Sequence, residues 1–218
     1  MTWSEILTTT AALMQGVGSV IVLFIIVLLA SMPIGFLITL MTRSKINAVR
    51  WLSKAYVYVI RGTPLMLQLF FVYFGLPYIP VIGKYIVLSG FASALLGFTL
   101  NYAAYFAEIF RGGLLSVDKG QYEACQVLGL SKLQTTTHVI LPQMIRVALP
   151  SVTNESITLV KDTALMFAIA VPEILHYAKV AVSRTASIVP FVIAFAIYLI
   201  LNTVLQLFFD WLEKKISY

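Results

Sequence analysis

The sequence predicts an all-α integral membrane protein with five transmembrane helices, a short N-terminal interfacial helix and short cytoplasmic coupling helices. Three observations carry that prediction. Of 218 residues, 60% are hydrophobic and only 11% charged, outside the range of a soluble domain. Runs free of charge extend from Ile6 to Thr42, Gly62 to Gly83, Ile86 to Ala107 and Thr185 to Phe209, and each supplies the ~20 apolar residues that cross a bilayer as a helix. Finally, "VIVLFIIVLLA" and "FVIAFAIYLIL" are continuously apolar, whereas barrel strands alternate apolar and polar residues.

The N-terminus "MTWSEILTTTAALMQG" lacks the basic region of a cleavable signal. Its early residues are expected to form an interfacial helix, with Trp3 at the headgroup level, before a first span over residues 16–41. Arg43, Lys45, Arg50 and Lys54 follow, which marks a cytoplasmic loop and places the N-terminus outside. The second span, 55–79, contains Arg61, Gly62, Thr63 and Pro64, where proline cannot continue the hydrogen-bond ladder and a gate or turn is expected. The third span, 87–111, carries Asn101, Tyr105 and Glu108 at i, i+4 and i+7, on one face. A cytoplasmic segment over 112–138 comes next.

Residues 147–171 decide between four spans and five. Five spans put ten Lys and Arg inside and three outside, but four give a similar excess, so charge does not decide. Periodicity does. As a helix, the segment projects Ser151, Glu155, Thr158 and Asp162 onto one narrow stripe with apolar flanks, which suits a span whose stripe faces away from lipid. Lys161 and Asp162 point about 100° apart on a helix, so each needs its own partner, or the helix is unwound there. The alternative for Glu108 is a structural pair with Arg111 at i, i+3. The last span covers 187–210, and the C-terminus lies inside.

In "DKGQYEACQVLGLSKLQ", Asp118 with Gln121 and Ser131 with Gln134 stand at capping-box spacing, so two short helices are expected to meet at Gly129, which tolerates positive φ. Pro142 is expected to break the pattern before the next span.

The net charge of +6 is a topology signal in a membrane protein and not a sign of nucleic acid. One cysteine, Cys125, supports neither a disulfide framework nor a thiolate zinc site, and His138 and His176 are too far apart in sequence to be read as a metal pair. No G-x-x-x-x-G-K-[ST] loop, HExxH or Ser/His/Asp pattern occurs. The chain is therefore not expected to be an enzyme or to bind a cofactor itself.

The coupling segment resembles the cytoplasmic loop motif of permease subunits in ATP-binding cassette (ABC) importers: Glu-Ala-Ala, three residues, Gly, nine residues, then an apolar residue, any residue, Leu and Pro. The chain has Glu123, Ala124, Cys125, Gly129, Val139, Leu141 and Pro142 at those places, with Cys125 in place of the second Ala. "RGTPLMLQLFFVYFGLP", "NYAAYFAEIFRGG" and "LVKDTAL" look like signature segments of the polar amino acid group, with Ala164 where Ser is usual, and "VPEILHYAKVAVSRT" looks most like its cystine-type members. The resemblance implies a type I importer permease in a bacterial plasma membrane, paired with a second permease subunit. It also implies an extracytoplasmic amino-acid-binding protein and two cytoplasmic ATPase subunits that hold ATP and Mg. The ATPases would grip a surface made by Gly120, Glu123, Ala124, Cys125 and Gly129. The expected substrate pathway comprises Asn101, Tyr105, Glu108, Thr158, Lys161 and Asp162, with Arg61, Gly62, Thr63 and Pro64 as gate; its carboxylates favour a cationic or zwitterionic solute, and the Val171–Thr185 stretch adds a cystine-like one. Two other readings are a proton-coupled carrier of a small polar solute and a structural subunit that transports nothing.

Overall fold

The computed structural model describes residues 1–81 and 83–217. Helix α1 runs from Trp3 to Thr42 without a break, about 60 Å at 1.5 Å per residue and so about twice the thickness of a bilayer core. The expected separate helix before Gly16 is therefore continuous with the first span. Thr2 and Glu5 start α1 with a reciprocal capping box, and nothing between them and Gly16 breaks the ladder. Gly16 packs where a side chain would not fit: an added Cβ would lie 2.4 Å from the Glu173 carbonyl carbon.

Helix α2 covers Asn47–Arg61, and α3 covers Leu65–Phe70, extended by a π turn at Phe71–Gly75 and a 3₁₀ turn at Leu76–Tyr78. The axes of 47–61 and 65–78 differ by 107°. Residues 55–79, where a gate or turn is expected within one span, thus belong to two helices that meet at a corner. The break falls at Gly62–Pro64, because proline offers no N–H and holds the preceding residue out of the helical region.

Helix α4, Gly90–Ser116, packs along α1, and α2, α3 and α7 also lie against it. Thr39 Oγ1 of α1 donates to the Ala107 carbonyl of α4 at 2.7 Å, a hydroxyl bond of the kind that joins helices in lipid. Helices α5 (Lys119–Val127) and α6 (Lys132–Gln134) follow, then a π turn at Thr135–Ile140 and α7 at Leu141–Asp162. The expected break at Pro142 is absent, for a reason visible twice. Both π turns directly precede a Leu-Pro pair, Leu76–Pro77 and Leu141–Pro142. The wider turn accommodates the missing N–H and relieves the ring's crowding against the carbonyl four residues back.

After α7 a 3₁₀ turn spans Thr163–Ile169, Ala170 takes φ 59°, and α8 covers Ile174–Thr185; the axes of 132–169 and 174–185 differ by 56°. The fully buried Glu173 carboxylate caps α8, accepting from Leu175 N at 2.6 Å and His176 N at 2.7 Å, and it takes Tyr198 Oη of α9 at 2.8 Å. Helix α9, Val189–Ser217, closes the bundle against α7 and α8. The shared core includes Leu23 and Val27 of α1, Phe98 and Phe106 of α4, and Leu159 and Met166 at the end of α7 and in the turn after it. Among the described residues, α1 and α9 are long and apolar enough to cross a membrane, and counting each bent pair as a span raises the number to four. Helix α4 is about 40 Å long but more polar, because of the face that carries Asn101, Tyr105 and Glu108.

Candidate functional site

The corner at residues 62–64 is held by a side chain that the sequence did not single out. Gln68 Nε2 lies 2.8 Å from the Ile60 carbonyl, 3.1 Å from the Thr63 carbonyl and 2.9 Å from Thr63 Oγ1. Its Oε1 accepts from Asn101 Nδ2 of α4 at 3.0 Å. Asn101 is only 4% exposed. Expected on the pathway, it instead ties α4 to the α2–α3 corner, with its donor engaged.

Asp162 ends α7, and the chain tightens into the 3₁₀ turn directly after it. Lys161 and Asp162 themselves still lie within the helix, and of the two alternatives it is a partner of its own that Asp162 has. Asp162 Oδ2 accepts from Tyr102 Oη at 2.8 Å, and Tyr102 is fully buried among Phe98, Tyr105 and Phe106. Lys161 is exposed. Glu155, Thr158 and Asp162 share a half-buried face, while Val152, Ser156, Leu159 and Val160 of the same helix are buried. Thr158 Oγ1 donates within its own helix, to the Asn154 carbonyl at 3.0 Å. Glu155 lies within electrostatic reach of both Asp162 and Arg61. Three residues of the stripe read from periodicity therefore share a face, and Ser151, the fourth, is exposed.

Glu108 makes a two-point pair with Arg111, one bond being Nε to Oε2 at 2.9 Å and the other Nη2 to Oε1. This is the structural pairing that the i, i+3 spacing allowed. Arg61 Nη1 stands 3.9 Å from Glu108 Oε1, and its guanidinium lies 5.3 Å from the Tyr105 ring centre, within cation–π range. These four side chains line an open cleft of about 740 Å³, together with Arg43 and Lys54. The structure thus separates the expected pathway residues: Asn101 at the corner, Tyr105 and Glu108 in the cleft, and Thr158 and Asp162 on the α7 face.

In the coupling segment Asp118 Oδ1 accepts from Gly120 N at 2.7 Å and caps α5. Gln121 Oε1, expected to accept from the Asp118 backbone N–H, accepts instead from Gln143 Nε2 at 3.2 Å. Ser131 and Gln134 do form a full capping box. Gly129 takes φ +71°, and Leu130 N closes the turn on the Cys125 carbonyl at 3.0 Å. Gly120, Glu123 and Ala124 are exposed, but Cys125, at 3% exposure, faces inward. Its position allows packing, not direct docking. Val127 (87% exposed), Leu128 (75%) and Leu133 (73%) present apolar side chains outward beside it, residues to which sequence reading gave no role.

Residues 31–218 match the family of binding-protein-dependent transport system inner membrane components. The chain belongs to this family. The probable amino-acid ABC transporter permease protein YckA of Bacillus subtilis is 38% identical over 223 aligned positions, covering 99% of this chain and 96% of the relative. The L-cystine transport system permease protein TcyB of the same organism is 36% identical, covering 93% of this chain and 85% of its own length. Among solved structures, an amino acid ABC transporter crystallised with histidines superposes with a TM-score of 0.88 at 28% identity, over 99% of both chains. The MetNI methionine ABC transporter, at 20% identity and a TM-score of 0.76, shares the fold. The chain is a permease of the bacterial cell membrane with the all-α fold of type I importers.

Proposed function

We propose that this permease forms the pathway by which a polar amino acid, of cationic or cystine-like class, enters the cell, driven by ATP that two partner ATPase subunits bind with Mg and hydrolyse. The observation that carries this reading is the coupling segment. Helix α5 is capped at its start and ended by a glycine in the left-handed region, and it exposes Glu123, Ala124, Val127 and Leu128 around an inward-facing Cys125. Such a short, rigid helix with an apolar outer surface suits insertion into a partner's groove. The cystine relative and the structure with histidines support the solute class.

In this reading the chain has five spans, built on α1, α3, α4, α7 and α9, with the N-terminus outside and the C-terminus cytoplasmic. It pairs with a second permease subunit and receives solute from an extracytoplasmic amino-acid-binding protein. Closure of the ATPase pair pushes α5, and the packed helices rock as bodies between outward-open and inward-open states. Thr158, Lys161 and Asp162 line the pathway, where the carboxylate meets the solute's amine. The Arg61–Glu108 contact at the α2–α3 corner serves as a gate between Tyr105 and the cytoplasm.

Uptake into vesicles holding the assembled complex tests this. Uptake is expected to need internal ATP and to survive an uncoupler. Asp162→Asn, which keeps an acceptor for Tyr102 but loses the charge, is expected to lower it about tenfold, the effect of about 1.4 kcal/mol on a barrier. Uptake abolished by the uncoupler while ATP is present would favour a proton-coupled carrier, and unchanged uptake by the variant would remove Asp162 from the pathway.

A further inference from the structure

The 740 Å³ cleft beside α2 has a charge balance that the gate does not explain. Arg43, Lys54, Arg61 and Arg111 line it, and Glu108 is its one carboxylate. Glu108 is already engaged by both nitrogens of the Arg111 fork and also stands 3.9 Å from Arg61, so Arg43 and Lys54 remain as excess positive charge. Helix α2 adds a second, independent pattern. Its outward residues fall into three rows at i, i+7: basic Lys54 and Arg61, aromatic Trp51 and Tyr58, and aliphatic Leu52 and Val59, all exposed. At 100° per residue the aromatic row lies between the other two, about 60° from the basic row and about 100° from the aliphatic row. Phosphate, glycerol ester and acyl chain follow one another in the same order across a membrane interface, where Trp and Tyr occupy the middle level. The 107° corner turns α2 across the direction of α3, which lays this three-row surface along the membrane plane if α3 spans it.

We propose that the cleft holds the phosphate of an anionic phospholipid, between Arg43 and Lys54, and that the acyl chains leave the cleft past Trp51 and Tyr58 to lie over Leu52 and Val59. The aliphatic row distinguishes a lipid from a free phosphate or a nucleotide, neither of which would use it. The lipid wedges α2 against α1 and α4 and steadies the corner that Gln68 and Asn101 pin from the other side. The inference rests on the topology proposed above, because it places α2 at the cytoplasmic leaflet.

The test is lipid retention by the complex with its ATPases, purified from mixed phosphatidylglycerol and phosphatidylcholine and measured by mass spectrometry of extracted lipid. The wild-type complex is expected to keep phosphatidylglycerol through washing and to melt at higher temperature when it is added back. Arg43→Gln with Lys54→Gln is expected to lower retention at least about fivefold, the effect of a single Lys or Arg near an anionic surface, while hydrolysis in phosphatidylcholine alone is unchanged. Leu52→Ser with Val59→Ser, which leaves the cations in place, is expected to lower retention as well. Equal retention by both variants overturns the proposal, as does an equal thermal shift with inorganic phosphate alone. Unchanged retention with loss of permease pairing would instead assign the face to the second subunit. Retention in detergent is independent of sidedness, so topology is read separately, by impermeant thiol labelling of Lys45→Cys in sealed vesicles.

Discussion

Tyr102 and Asp162 show what a single residue contributes at membrane depth. A carboxylate among apolar side chains is expensive unless it is partnered, and Asp162 has a phenolic donor 2.8 Å away on another helix. Tyr102→Phe keeps the ring that packs against Phe98 and Phe106 and removes only that donor. The expected loss is about 1–2 kcal/mol, the upper part of the range for hydrogen bonds between membrane helices, read as a lower midpoint of thermal unfolding in lipid. An unchanged midpoint would mean that water replaces the hydroxyl. Asp162 stands out in the sequence because it is a charge in an apolar run. Tyr102 does not, since the partners are 60 residues apart and a tyrosine beside Asn101 reads as another core aromatic. Glu173 escaped notice for a related reason: at the edge of a run it looks interfacial, and its burial follows from Gly16 bringing α1 onto its backbone.

At the scale of elements, local chemistry was legible and corners were not. The capping box at Ser131 and Gln134 and the left-handed Gly129 both follow from short-range preferences, and both are present. Pro64 announces a break, yet the corner depends on Gln68 reaching back to Ile60 and Thr63 and across to Asn101. A lone glutamine in an otherwise apolar run beside Arg-Gly-Thr-Pro was the available signal. Gln68→Leu removes this clasp and strands Asn101, so a destabilisation of roughly 1–3 kcal/mol is expected, with faster proteolysis near Gly62; identical melting and cleavage would show that proline alone sets the bend. Pro142 misleads in the opposite direction, because a π turn absorbs it, and nothing in the local sequence separates a bulged proline from a terminating one. For α5, Leu128→Asp with Leu133→Asp alters side chains that touch little within the chain. The permease is expected to melt as before while its ATPase subunits no longer co-purify; retained ATPases would move the docking surface elsewhere.

The whole molecule is a bundle arranged around α1 and α4, with the polar side chains expected on the pathway in three places: the α2–α3 corner, the cleft and the α7 face. Composition and run length made the helical membrane fold legible, and the spacing around Glu123 and Gly129 made the family legible. What stayed hidden is the distribution of the polar residues, because Asn101, Tyr105 and Glu108 share one helix face and only packing decides which of them is buried by a neighbour. The central claim is that this bundle couples ATP hydrolysis by partner subunits docked on α5 to movement of an amino acid past Asp162. The measurement that tests it most directly is ATP hydrolysis by the intact complex in lipid, with its binding protein and polar amino acids added one at a time. The account predicts that one cationic or cystine-like amino acid raises the rate well above that with the binding protein alone. A rate unmoved by every amino acid, in a complex shown to be intact, would contradict it.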